Sequence, residues 1–85
     1  MGIIADSIVR YAQPLLDETD GSHEQMNKAL GLAQMCWNLA VLPEKDREKK
    51  ISELRKPLGL NKAEFASFRQ SIIEPMILRH KKMWP

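Results

Sequence analysis

Residues 22–42 constrain the fold more than any other part of the chain. Their sequence is SHEQMNKALGLAQMCWNLAVL, and at about 100° per residue on a helix it separates into two very unequal sectors. A narrow polar stripe is formed by Asn27, Gly31, Gln34 and Asn38. Its flanks are apolar, with Met26, Leu30, Ala33, Trp37 and Val41 on one side and Leu32, Met35, Leu39 and Leu42 on the other. A helix that is apolar around most of its circumference packs inside other helices, so we expect this helix to be central and buried.

Three further helices are predicted around this one. The first covers residues 3–17 and the third residues 43–58, each with apolar residues at helical spacing. The fourth begins after Asn61, which has the sequence context of a helix cap, and Pro75 is expected to interrupt it. The connections are short and 85 residues provide one modest core. The sequence therefore predicts an all-α, compact, four-helix bundle-like arrangement that forms a single domain over residues 1–85.

Charge is distributed unevenly along the chain. Residues 1–42 contain two basic and five acidic side chains, for a net charge of −3, whereas residues 43–85 contain eleven basic and six acidic ones, for a net charge of +5. This asymmetry favours either a polyanionic partner or self-association through complementary faces. A single cysteine, no leader pattern and no apolar run near 18 residues predict a reducing, cytoplasmic location without membrane attachment.

The residue types needed for catalysis or metal binding are sparse. Cys36 has no histidine at helical spacing that could act as its base. His23 and His80 are isolated from each other and from any Cys or carboxylate at metal-ligand spacing. The acidic turn at residues 17–21 lacks the first and last ligands of a calcium loop. We therefore expect no enzymatic activity, no cofactor, no metal and no small-molecule substrate.

Residues 51–72, ISELRKPLGLNKAEFASFRQSI, place apolar residues on both sides of a glycine turn. These positions are Leu54, Leu58, Gly59, Leu60, Phe65 and Phe68. The pattern resembles the helix-turn-helix of bacterial DNA-binding proteins. The resemblance implies that the major groove is read by Asn61, Lys62, Ser67 and Gln70. A nucleic-acid-binding protein of this kind would use basic side chains for its phosphate contacts, namely Lys49, Lys50, Arg55, Lys56, Lys62, Lys81 and Lys82. The sequence departs from the motif where Arg55 replaces a small residue and where Pro57 precedes the turn.

The polar stripe of the central helix allows two interpretations. It is either the solvent-facing edge of a buried helix or an interface, in which Gly31 permits close approach of a second backbone and Gln34 and Asn38 supply directional hydrogen bonds. Trp84, on the basic tail, either packs against the core or serves as a second apolar anchor. The function that the sequence favours is a small non-enzymatic protein–protein interaction module that self-associates into a homo-oligomer. The alternative is a helix-turn-helix-like nucleic-acid-binding protein that uses residues 51–72.

Overall fold

A computed structural model describes residues 3–85, with side chains from Asp6 onward. The six α-helices are α1 (Ile3–Leu16), α2 (His23–Ala40), α3 (Glu44–Glu53), α4 (Arg55–Leu58), α5 (Lys62–Phe68) and α6 (Glu74–Met83). A π-helical turn, Arg69–Ile73, joins α5 to α6. The third and fourth predicted helices correspond to α3 with α4 and to α5 with α6. Residues 3–85 contain no strand, so the predicted all-α class of small helical domain is confirmed.

The chain divides by its internal contacts into two units, residues 1–36 and residues 37–85, and the division falls inside α2. The described apolar residues that are buried in the N-terminal unit are Tyr11, Ala12, Ala29, Ala33 and Cys36. Those of the C-terminal unit are Leu39, Ala40, Ile51, Ile73, Met76 and Ile77. Five of these eleven residues belong to α2, more than to any other helix. The expectation that residues 1–85 form one domain stays a prediction.

The burial of α2 follows a narrower face than the sequence pattern suggests. Three of its five buried residues, Ala29, Cys36 and Ala40, lie opposite the polar stripe. On the flanks only Ala33 and Leu39 are buried, and the other flank residues are half-buried or exposed. Met26 and Val41 are 39% and 60% exposed, and Trp37 is half-buried rather than enclosed. The expectation that both flanks are enclosed is therefore wrong at these positions. Apolar periodicity shows which faces can be buried, but the neighbouring helices decide how much of each face they cover.

The start of α2 is determined by local hydrogen bonds. The Ser22 hydroxyl oxygen accepts from the backbone N–H of Gln25 at 3.3 Å, as in a capping box. The Gln25 side chain accepts instead from the backbone N–H of Asp20, and the Asp20 carboxylate accepts from the N–H of Ser22 at 2.8 Å. This bond and a second one from the Ser22 side chain lower the pKa of the Asp20 carboxyl. The acidic turn thus supports the helix start with its own polar groups.

Two prolines explain the interruptions in the later helices. Pro57 has no N–H and its ring crowds the carbonyl of Glu53, and α3 ends at Glu53. The short α4 that follows ends at Gly59, which has a left-handed conformation with φ of 68°. The N–H groups of Gly59 and Leu60 bond to the carbonyls of Lys56 and Arg55 at 3.0 and 3.2 Å, which is the Schellman pattern.

Pro75 has a similar effect on the last helical run. At the start of this run Asn61 and Glu64 form a complete capping box. Before Pro75 the hydrogen bonding widens into the π turn, in which the N–H of Glu74 reaches the carbonyl of Arg69. Because Pro75 cannot donate to the carbonyl of Ser71, the regular ladder cannot continue, and the π turn keeps residues 62–83 helical throughout. The predicted interruption is thus a π turn rather than a break.

Candidate interaction surfaces

The polar stripe of α2 lies on the protein surface. Asn27, Gly31, Gln34 and Asn38 are all exposed. A Cβ atom added to Gly31 would meet no described atom within 4 Å beyond the backbone of its own helix, so packing among the described residues does not require glycine there. Gln34 and Asn38 are not free amides, because each already takes part in an interaction within the protein. The stripe is therefore accessible, and there is open space beside Gly31.

Trp84, the second predicted anchor, belongs to an aromatic cluster. Its ring packs at a tilt of 40° against Trp37, with centroids 4.7 Å apart, and at 42° against His80, with centroids 5.0 Å apart. The Trp37 and His80 rings meet edge to face at 5.5 Å. Trp84 is still 37% exposed. It thus combines the two interpretations of the tail, because the ring is held against Trp37 while one side of it remains accessible.

Arg47, which sequence reasoning missed, holds the end of α2. Its guanidinium donates hydrogen bonds to the carbonyl oxygens of Leu39, Ala40 and Leu42 at 3.0, 3.2 and 3.0 Å. A cation at this position also compensates the negative end of the helix dipole. Desolvation lowers the pKa of His80, and the charge of Arg47 lowers it further. No signal in the sequence distinguishes Arg47 from the neighbouring surface lysines, since its acceptors are backbone atoms.

Arg69 was also missed, and it links three elements of the C-terminal unit. Its guanidinium pairs with Glu48 of α3 at 2.6 Å and with Glu74 of α6 at 2.8 Å. Both carboxylates raise the pKa of the Arg69 guanidinium. The spacing of five residues between Arg69 and Glu74 brings them together across the π turn, whereas a regular helix pairs residues three or four apart.

The predicted nucleic-acid contacts are all accessible at least in part. Arg55 is half-buried, and the exposed ones are Lys56, Asn61, Lys62, Ser67, Gln70, Lys81 and Lys82. Two of these groups already have local roles. The Asn61 side chain accepts from the N–H of Glu64 at 2.8 Å, and the Arg55 guanidinium donates to the carbonyl of Leu60 at 3.4 Å.

Only some of the predicted nucleic-acid contacts line the same groove. Gln70 and Lys81 line one open groove of about 430 Å³ along α6, with Glu74, Pro75, Ile77 and Leu78. Lys82 lines a second groove of about 240 Å³, with Pro75, Leu78, Arg79 and Met83. Lys49 and Lys50 line a third, of about 330 Å³, with Leu42, Asp46 and Glu53. The first two grooves share Pro75 and Leu78, so both follow the same exposed part of α6.

The chemistry of Cys36 is that of a core residue. Cys36 is fully buried, and burial raises the pKa of its thiol to about 11. In the part of the chain that the structure describes, no three His, Cys, Asp or Glu side chains converge as metal ligands would. Within the same residues, no helix has the length and apolar character needed to cross a membrane.

Comparison with known proteins yields no relative from which a function could be transferred. No family model, no curated protein and no solved structure matches this chain.

Proposed function

We propose that this chain is a non-enzymatic protein–protein interaction module that self-associates through the polar stripe of α2. The observation that supports this most directly is the exposed glycine at the middle of the stripe. Gly31 lies inside an 18-residue helix, has no positive φ and has open space where a Cβ would lie. Nothing within the described chain therefore benefits from a glycine at this position.

Glycine inside a helix has an energetic cost. It destabilises a helix interior by about 1 kcal/mol relative to alanine, and no turn or internal close contact compensates for this at Gly31. In the proposed homodimer the compensation comes from the partner, because glycine lets two helix backbones approach more closely than any other residue does. Asn27, on the preceding turn of the same stripe, would then face the second copy.

The test is the oligomeric state of the protein and of two Gly31 variants, by sedimentation equilibrium or light scattering. We expect a concentration-dependent dimer for the wild type and monomers for Gly31→Leu and Gly31→Gln, because both side chains add bulk at the contact. The monomer should keep its helix content or gain slightly, since leucine and glutamine are better helix formers than glycine. Including glutamine separates the effect of bulk from that of added apolar surface.

Lys49→Gln is a suitable control, because Lys49 is exposed on α3 and lies outside the stripe. It should leave the dimer unchanged. A wild type that stays monomeric at high concentration would contradict the proposal, and so would Gly31 variants that dimerise as well as the wild type.

Nucleic-acid binding by the C-terminal unit is the second candidate, and one observation favours it. The exposed lysines that make no ion pair or side-chain hydrogen bond with any described residue are Lys45, Lys49, Lys56, Lys62, Lys81 and Lys82. Most carboxylates of this unit are engaged, two by Arg69, one by Lys50 and one in the Asn61 cap. The net charge of +5 is therefore carried mainly by accessible lysines, which is typical of surfaces that attract phosphates.

Fluorescence anisotropy with random duplex DNA at low salt tests this candidate. Binding should appear at tens of micromolar protein or below and weaken steeply with salt, as is roughly typical of non-specific binders. Lys62→Ala and Gln70→Ala should weaken it, whereas Lys28→Ala, a residue that pairs with Glu24 in the N-terminal unit, should not. Absence of binding in this range would remove the candidate.

A further inference from the structure

The outer face of α6 carries an apolar ridge that the chain leaves uncovered. Leu78 is 55% exposed, and Pro75, one turn before it, is exposed as well. Met76, on the opposite side of the helix, is buried, and so is Ile77, which lies at the edge of the larger groove. The helix therefore has a core-facing side and, separately, an outward apolar ridge that its own unit does not use.

The shape around this ridge is that of a helix-packing surface. One groove follows Gln70, Glu74 and Leu78 to Lys81, and the other runs past Pro75, Leu78 and Lys82. These residues recur at spacings of three and four. On a helix, side chains at these spacings form rows, and the ridges of a second helix pack into the grooves between such rows. A helix laid along α6 could thus place apolar side chains in both grooves at once.

Charge around the ridge is one-sided. Lys81 and Lys82 lie near the C-terminal end of α6 and are exposed, and they make no ion pair with any residue that the structure describes. The one carboxylate in the grooves, that of Glu74, is held by Arg69 at 2.8 Å. The surface beside Leu78 is therefore cationic, and a partner with carboxylates would be attracted to it.

We propose that the α6 ridge is a docking surface for an acidic amphipathic helix of another protein. Apolar residues of that helix, three and four positions apart, pack against Pro75 and Leu78, and its flanking Asp or Glu residues pair with Lys81 and Lys82. The central Leu78 favours this partner over nucleic acid. Leu78 lies close to Lys81 and Lys82, and apolar side chains of a helical partner would bury it favourably. A phosphate backbone has no apolar surface that could cover the leucine.

Nuclear magnetic resonance titration of the 15N-labelled full chain tests this proposal. The probe is a synthetic 15-residue helical peptide with leucines at positions i, i+4, i+7 and i+11 and glutamates on both flanks. Two matched peptides replace all glutamates by glutamine or all leucines by serine. We expect the acidic peptide to shift the amide resonances of Gln70, Leu78 and Lys81 with a dissociation constant of roughly tens of micromolar, and both matched peptides to bind at least about tenfold more weakly.

Matched variants of the protein distinguish peptide binding at the ridge from non-specific binding elsewhere on the surface. Leu78→Ser should weaken binding about tenfold, and Lys81→Gln combined with Lys82→Gln should weaken it about fivefold or more at low salt. Val41→Ser, which removes another exposed aliphatic side chain of the same unit, and Lys49→Gln should leave it within about twofold.

Two results would overturn the proposal. In one, the glutamine peptide binds as tightly as the acidic one, or the shifted resonances lie away from α6. In the other, duplex DNA shifts the same α6 resonances at lower concentration than the peptide does. Neither result bears on self-association, because that is tested through Gly31 on α2 by oligomeric state alone.

Discussion

Replacing Arg47 by methionine should destabilise the fold by about 2 to 4 kcal/mol, because three backbone carbonyls lose a charged donor. The guanidinium bonds to Leu39, Ala40 and Leu42 within 3.2 Å. Hydrogen bonds to a charged group contribute about 1.5 to 3 kcal/mol each when buried. Arg47 is only half-buried, so water can partly replace it and we take about 1 kcal/mol per bond. Methionine keeps the aliphatic stem and a similar helix propensity.

Urea unfolding followed by circular dichroism at 222 nm measures this change. For a chain of this size the dependence of the unfolding free energy on urea is about 1 kcal/mol/M, so the midpoint should fall by about 2 to 4 M. Arg47→Lys should lose roughly half as much, because an ammonium cannot span three carbonyls as a planar guanidinium does. Lys45→Met, two positions away and exposed, is the matched control and should change stability by less than about 0.5 kcal/mol.

The same substitution should change the titration of His80. Desolvation and the charge of Arg47 both lower the pKa of His80 below its ordinary value of 6.5, so Arg47→Met should raise it without restoring 6.5. Because neutral His80 is favoured in the folded state, its contribution to stability is complete above pH 6.5 and is lost as the pH falls below that value. A loss below 0.5 kcal/mol, equal stability of the lysine and arginine proteins, or a His80 pKa that stays unchanged would refute this account.

Three further outcomes follow from buried or constrained residues. The free energy of unfolding should fall by about 2 to 3 kcal/mol between pH 9 and 11, because the pKa of the Cys36 thiol is 9.0 in the unfolded chain and about 11 in the folded one. Urea melts of Cys36→Ala over the same pH range should lack this fall. Trp37→Ala should cost about 2 to 3 kcal/mol in urea melts, because the ring packs against Trp84 but is only half-buried. Asn38→Ala, at an exposed position, should cost under about 1 kcal/mol. Gly59→Ala should cost about 1 to 2 kcal/mol in the same assay because of the positive φ, and a neutral result would mean that another turn forms.

Much of the helical framework could be predicted because its determinants are local. Predicted and observed bounds of α2 differ by one residue at the start and two at the end. The cap at Asn61 also lies where the sequence places it. Each of these signals depends on groups within three or four residues of one another, where the helix geometry itself sets the distance. The exposed Asn27–Asn38 stripe could be located for the same reason. Its residues are three or four positions apart, and a regular helix places residues at that spacing on one face.

Tertiary structure decided which apolar faces are covered and which cations are engaged. The pattern of α2 does not distinguish the buried Cys36 from the half-buried Trp37, because the difference depends on what α6 brings beside the ring. Arg47 and Arg69 have the same appearance in the sequence as the accessible Lys81. Their roles depend on partners up to 21 residues away, and only the packed chain brings such groups together. Local sequence determines where helices begin and end, whereas surface chemistry results from the long-range contacts that decide which side chains remain free to bind.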